Sequence, residues 1–255
     1  MLAVGLSGLA AAAAVAGCSS GHGSATGAAP GSPSASIAAP CIVPGTPFAK
    51  RITHFPSADG HETVEAYVRE RSPVAAGSSA AASDAASVGV VIDHQSQQTL
   101  CDSMGWADQF ASEGYLAVAP TLDDNDQVTE TEGAVAYLRA HGATKIVLLG
   151  ASMGGTTVLQ TAAEERPPVQ AVISLSGPEN FYPLDATAGA PKLTVPVFYS
   201  AGELDGSFAA AETNLYDATA EKDKVLNIVP GTDLHGFDLL STLLDPINAF
   251  IRAHV

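Results

Sequence analysis

From about Phe48 onward, short apolar runs alternate with amphipathic stretches and turn-rich polar links. Arg51–Phe55 and Glu62–Arg69 flank Ser57-Ala58-Asp59-Gly60 and read as an antiparallel hairpin. Val88–Asp93 is the next strand. Met104–Glu113 has helical periodicity and stops at Gly114. Tyr115–Ala119 is a strand, and Val128–Ala140 is a helix with Val135 and Leu138 on one side. An apolar run from Lys145 leads into a helix over Thr156–Glu165. Strand Ala171–Leu175, strand Val195–Ser200, helix Phe208–Ala220, strand Val225–Val229 and helix Asp238–His254 complete the pattern. Strands alternating with helices predict an α/β fold, with a mostly parallel sheet covered on both faces. Ser176–Thr194, between two strands, is too short for a cap domain; its Phe181, Tyr182 and Leu184 suit either an acyl pocket or packing.

The most informative segment is Lys145–Gly155, K-I-V-L-L-G-A-S-M-G-G. An apolar run ends in Gly-x-Ser-x-Gly and a helix follows, which is the context of a nucleophile elbow with Ser152 at its tip. Gly150 and Gly154 keep the turn clear of side chains, and glycine tolerates its backbone angles. The competing reading is a glycine-rich turn with a solvent-facing serine.

A serine hydroxyl needs a base to take its proton and an acid to orient that base. Two later strands each end in a loop with a candidate. A-G-E-L-D-G carries Asp205 after Val195–Ser200, and P-G-T-D-L-H-G carries His235 after Val225–Val229. Both loops lie past strand C-termini, the edge where open α/β sheets bind ligands. Glu203 rivals Asp205 as the acid, and Asp233 beside His235 reads as a cap or a tuning group. His22 falls in a linker, His54 and His61 in the hairpin, His141 at a helix end and His254 at the C-terminus.

The order Ser152, Asp205, His235 resembles that of the α/β-hydrolase superfamily. The chain is most similar to its small dienelactone-hydrolase-like and esterase-like members, over about Phe48–Val255. The resemblance implies Ser152 as nucleophile, His235 as general base and acid, and Asp205 on the imidazole, with no sizeable cap domain and no cofactor. Dienelactone hydrolases proper carry a cysteine nucleophile. The serine here implies a small-molecule ester or related acyl substrate instead. The oxyanion hole takes the N–H of the residue after the nucleophile, Met153, and a second from the loop after Val88–Asp93. Gln95, in His94-Gln95-Ser96-Gln97, is the expected second donor, with Ser96 next; His94 is expected to shape that loop. The other function class is a non-catalytic surface lipoprotein that uses the same fold for binding.

Met1–Gly17 is apolar and uncharged and ends in V-A-G-C, which looks like a bacterial lipobox with Cys18 as the lipidated residue. The competing readings are chance alanine-rich sequence and a cleaved signal that releases a free, secreted protein. Residues 18–46, rich in Ser, Ala, Gly and Pro, read as a flexible tether, leaving 47–255 as the hydrolase domain. A second low-complexity piece, Arg71–Ser87, reads as a long surface loop. Removing Cys18 from the count leaves Cys41 and Cys101, a disulfide pair in an oxidising compartment or else two free thiols. A net charge of −16 excludes nucleic acid as a partner and electrostatic attraction to anionic lipid, so membrane attachment is expected through the lipid anchor. No Cys/His spacing suggests a metal site.

Overall fold

The computed structural model describes residues 41–72, 87–123 and 126–255. The signal at 1–17, Cys18, most of the tether and most of the Arg71–Ser87 piece lie outside the described residues.

An eight-stranded sheet forms the centre. Its strands are β1 (Ile52–Pro56), β2 (Thr63–Arg69), β3 (Val88–Asp93), β4 (Leu116–Pro120), β5 (Lys145–Ala151), β6 (Ala171–Leu175), β9 (Val197–Gly202) and β10 (Lys224–Val229), in the order β1-β2-β4-β3-β5-β6-β9-β10. β2 pairs antiparallel with both β1 and β4, and every other pairing is parallel. A two-residue hairpin, β7 (Asn180–Phe181) and β8 (Leu184–Asp185), stands apart from the sheet. The helices are α1 (Leu100–Ser112), α2 (Gln127–Ala140), α3 (Met153–Glu164), α4 (Ala186–Gly189), α5 (Phe208–Ala218) and α6 (Leu240–His254).

Side chains alternate across a strand, and each inner strand therefore feeds two cores. Val90, Ile92, Val147, Leu149 and Ile173 face one layer with Phe110 of α1 and Leu243 and Ile247 of α6. Val91, Ile146, Leu148 and Val172 face the other, with Leu138 of α2, Leu159 of α3 and Leu215 of α5. Both faces are covered, and this explains why the central strands read as continuous apolar runs.

α1 begins at Leu100, four residues before the start read from periodicity. Thr99 caps it. Its hydroxyl accepts from Cys101 N–H at 3.2 Å, and the Asp102 carboxylate accepts from Thr99 N–H at 3.0 Å. This capping box sits in T-L-C-D ahead of the apolar stripe, so periodicity alone misses the first turn. The Ser176–Thr194 link, read as too short for a cap domain, holds β7, β8 and α4.

Cys41 and Cys101 are joined in a disulfide, with an S–S distance of 2.03 Å and a Cα–Cα distance of 5.8 Å. Cys41 and Ile42, within the span read as tether, pack against the α1/α6 core. The bond joins the first of the described residues to the first turn of α1, closing a 60-residue separation. A closed loop of that length restricts the unfolded chain. Replacing Cys41 and Cys101 together by serine is expected to lower the unfolding free energy by about 2–4 kcal/mol. Denaturant titration reads this, and coincident transitions of the two proteins would refute it.

Candidate active site

At the end of β5 the chain reverses at Ser152, with φ 53° and ψ −117°, and enters α3. A non-glycine residue there costs about 1–3 kcal/mol and persists only when its surroundings enforce it. The enforcement is steric. A Cβ on Gly150 would lie 2.0 Å from the Gly154 carbonyl oxygen, and one on Gly154 would lie 2.3 Å from the Asp93 carbonyl oxygen. The first turn of α3 is thus packed backbone to backbone on its own strand and on the end of β3. Ser152 N–H donates to the Leu175 carbonyl at 2.8 Å, fixing the elbow to the end of β6.

The structure brings Asp205 to His235. The carboxylate is buried, and His235 Nδ1 lies 2.9 Å from Oδ2 and 3.1 Å from Oδ1. Nδ1–H therefore donates to the carboxylate, which leaves Nε2 as the acceptor nitrogen of the ring. Glu203, the rival acid, is exposed and accepts from Gly231 N–H at 2.7 Å. Asp233 is exposed. The Phe208 ring packs on the imidazole, with centroids 4.4 Å apart.

The other described histidines are engaged elsewhere. His54 faces Glu65, His61 faces Asp59 and His254 faces Asp223, while His141 Nδ1 lies 2.8 Å from the Tyr137 carbonyl. His94 holds the loop after β3 by its ring nitrogens. Its Nε2 accepts from Leu122 N–H at 2.9 Å, so Nδ1 carries the proton and donates to the Gln95 carbonyl at 2.7 Å.

Gln95 does more than its sequence position suggests. Its side-chain Oε1 accepts from Phe237 N–H at 3.2 Å and lies where a Cβ on Gly236 would be, 1.6 Å away. Gly236 has φ 55°, so only glycine fits both its angle and its space. The loop expected to supply the second oxyanion donor is thereby clamped to the loop of His235. Met153, the other expected donor, buries its side chain against Leu122 and Leu184 with Phe181 packed alongside, whereas Tyr182 is exposed.

Two further residues escaped sequence reasoning. Ser176 Oγ donates to Asp205 Oδ2 at 2.7 Å and accepts from Gly236 N–H at 3.0 Å. Glu212 is buried beneath the β6 loop and accepts from Ser174 Oγ at 2.8 Å and Gly177 N–H at 2.6 Å; burial holds its carboxyl well above the usual range. Neither stands in a motif.

The sequence profile of the alpha/beta hydrolase fold family matches residues 95–214, a span that holds Ser152 and Asp205 but stops before His235. Solved structures of the same architecture superpose over most of the chain. Est1E from Butyrivibrio proteoclasticus has a TM-score of 0.63 at 15% identity, covering 80% of this chain and 98% of its own. The chain is an α/β-hydrolase by fold. A dienelactone hydrolase from Anabaena variabilis has a TM-score of 0.61 at 17% identity, covering 80% of this chain and 97% of its own. An esterase from Rhodococcus sp. has a TM-score of 0.61 at 14% identity, covering 80% of this chain and all of its own. No curated protein sequence is significantly similar to this α/β-hydrolase.

Three carboxyls gather elsewhere in the fold. Glu62, Asp123 and Glu130, of which Glu130 alone is buried, bring one oxygen each within 4.8 Å of the others. Burial, with the charge of Asp123 adding to it, pushes Glu130 up to about 8 against the Asp123 N–H that lowers it. Glu62 is raised by its hydrogen bond with Asp123 and by burial.

Asp93, at the end of β3 under the elbow, is fully buried, and burial pushes its carboxyl up to about 8. The Thr131 hydroxyl, 2.8 Å from Asp93 Oδ2, lowers the carboxyl by its hydrogen bond, and burial outweighs it. Below the ordinary value near 3.8 both folded and unfolded chains hold the carboxyl proton. As the pH rises from there to about 8, the unfolded chain releases it and the fold does not, so stability falls. Asp93→Asn keeps the shape of the side chain and an acceptor for Thr131 and removes the titration. Its stability relative to wild type is expected to improve by at least about 2 kcal/mol between pH 4 and pH 8. Urea unfolding at both pH values reads this, and a constant difference would refute it.

Proposed function

We propose that this α/β-hydrolase is a serine hydrolase that cleaves carboxylic esters or related acyl bonds of small molecules. The observation that carries the reading is the Asp205–His235 pair. With Nδ1–H committed to a buried carboxylate, the imidazole is held in the tautomer that offers Nε2 to a proton. Ser152 stands on a strained elbow tied to β6, beside the loops that carry the pair. Two proteins of similar fold, a dienelactone hydrolase and an esterase, support the substrate class.

In the proposed reaction Ser152 Oγ attacks the substrate carbonyl carbon as His235 Nε2 takes the hydroxyl proton. Negative charge gathers on the carbonyl oxygen and is met by the backbone N–H groups of Met153 and Gln95. Collapse of the adduct breaks the ester C–O bond, and His235 returns its proton to the departing alcohol. Water then attacks the acyl-enzyme, losing a proton to His235, and the acid leaves as Ser152 regains its hydrogen. Asp205 orients the imidazole and stabilises the imidazolium.

Ser152→Ala is expected to abolish labelling by a fluorophosphonate probe and to lower kcat on p-nitrophenyl acetate by about 10⁴- to 10⁶-fold. A folded wild type that neither labels nor turns over would sink the reading. The V-A-G-C ending supports a further part of the proposal, that the enzyme is exported and anchored through lipid on Cys18. Expression in a bacterium fed radiolabelled palmitate should label wild type and leave Cys18→Ser unlabelled; absence of label from wild type would count against the anchor.

A further inference from the structure

Ser176 takes no part in the proposed reaction, yet its hydroxyl lies where the acid and base loops meet. The residue follows β6 and is fully buried. Its φ of 54° lies in the left-handed region, uncommon for serine. Its N–H donates to the Ser200 carbonyl at 2.7 Å, so its backbone is tied to β9, the strand that leads to Asp205.

The side chain then makes two contacts in opposite senses. Oγ–H donates to Asp205 Oδ2 at 2.7 Å, and Oγ accepts from Gly236 N–H at 3.0 Å. Accepting one hydrogen bond polarises a hydroxyl and strengthens the one it donates. His235 alone does not choose between the carboxylate oxygens, because its Nδ1 sits 2.9 Å from one and 3.1 Å from the other. Ser176 does choose: it donates to Oδ2, the nearer of the two. The same atom holds the backbone one residue past His235. Without it, Gly236 N–H would be buried without an acceptor, and the carboxylate would be free to turn.

We propose that Ser176 is a positioning residue, whose hydroxyl sets the rotation of the Asp205 carboxylate and locks it to the backbone that carries His235. The inference rests on the serine-hydrolase reading of Ser152, Asp205 and His235. A residue present only to supply a left-handed turn would be replaceable by glycine, which adopts that conformation without strain. A residue present for its hydroxyl would not.

The test compares Ser176→Ala and Ser176→Gly with wild type on p-nitrophenyl acetate, beside the rate of fluorophosphonate labelling. Both variants are expected to lose about 10- to 100-fold in kcat with KM unchanged, as misplaced catalytic groups do. Labelling should slow in parallel. The downfield proton resonance between His235 Nδ1 and Asp205 should shift or broaden, a change that a purely structural role would not produce. Wild-type kcat in Ser176→Gly would overturn the inference, and if Ser176→Ala does not fold, the glycine variant decides alone. An inert wild type would overturn the triad and this inference with it, whereas an active wild type matched by its variants would overturn this inference alone.

Discussion

The site rests on one contact between backbones, where the first turn of α3 lies on the end of β3. Gly154 meets the carbonyl oxygen of Asp93 and Gly150 meets that of Gly154, each at a distance no Cβ would allow. That approach lets β5 turn into α3 within a single residue. The residue at the turn takes the strained angles of Ser152, and its N–H is held by β6. Gly155 extends the same packing, since a Cβ there would meet Ser174 Oγ at 2.8 Å. Strain of a few kcal/mol is tolerable because the sheet and helix on either side are fixed by two full cores.

Around that elbow, three loops from separate strands are joined by side chains. Gln95 reaches from the β3 loop to Phe237 N–H, and Ser176 reaches from the β6 loop to Gly236 N–H and Asp205. The two consecutive N–H groups after His235 are thus claimed by two different loops. Gly236 gives Gln95 its room and takes the left-handed turn at the same time. A base that must meet both a carboxylate and a nucleophile needs this rigidity, because errors of an ångström are costly in catalysis. Charge is managed by burial as well as by pairing. Asp205 is held by donors from Ser176 and His235, whereas Asp93, with little more than one threonine hydroxyl near it, keeps its proton.

The central strands were legible because they are apolar on both faces and have little choice of state. Val88–Asp93 and Ala171–Leu175 fall where the pattern placed them. The helix from Leu100 was read late, since its first turn is stabilised by a cap and not by an apolar stripe. The hairpin at Asn180–Asp185 was missed because strands of two residues have no period to detect.

The sequence by itself determined the elbow, the chain order of Ser152, Asp205 and His235, and the pairing arithmetic of Cys41 with Cys101. Each is local or a matter of counting, and each is written in residue types that few other structures require. Only the tertiary structure decided which of Glu203 and Asp205 meets His235, because two carboxylates in one short loop differ in nothing but the direction in which the turn sends them. It alone assigned His94 to backbone contacts and set Ser176 between Asp205 and the backbone of Gly236. It also buried Asp93 so deeply that its carboxyl is pushed up to about 8. Those outcomes depend on distances between segments remote along the chain, and on the loss of water around a group, neither of which a linear pattern records.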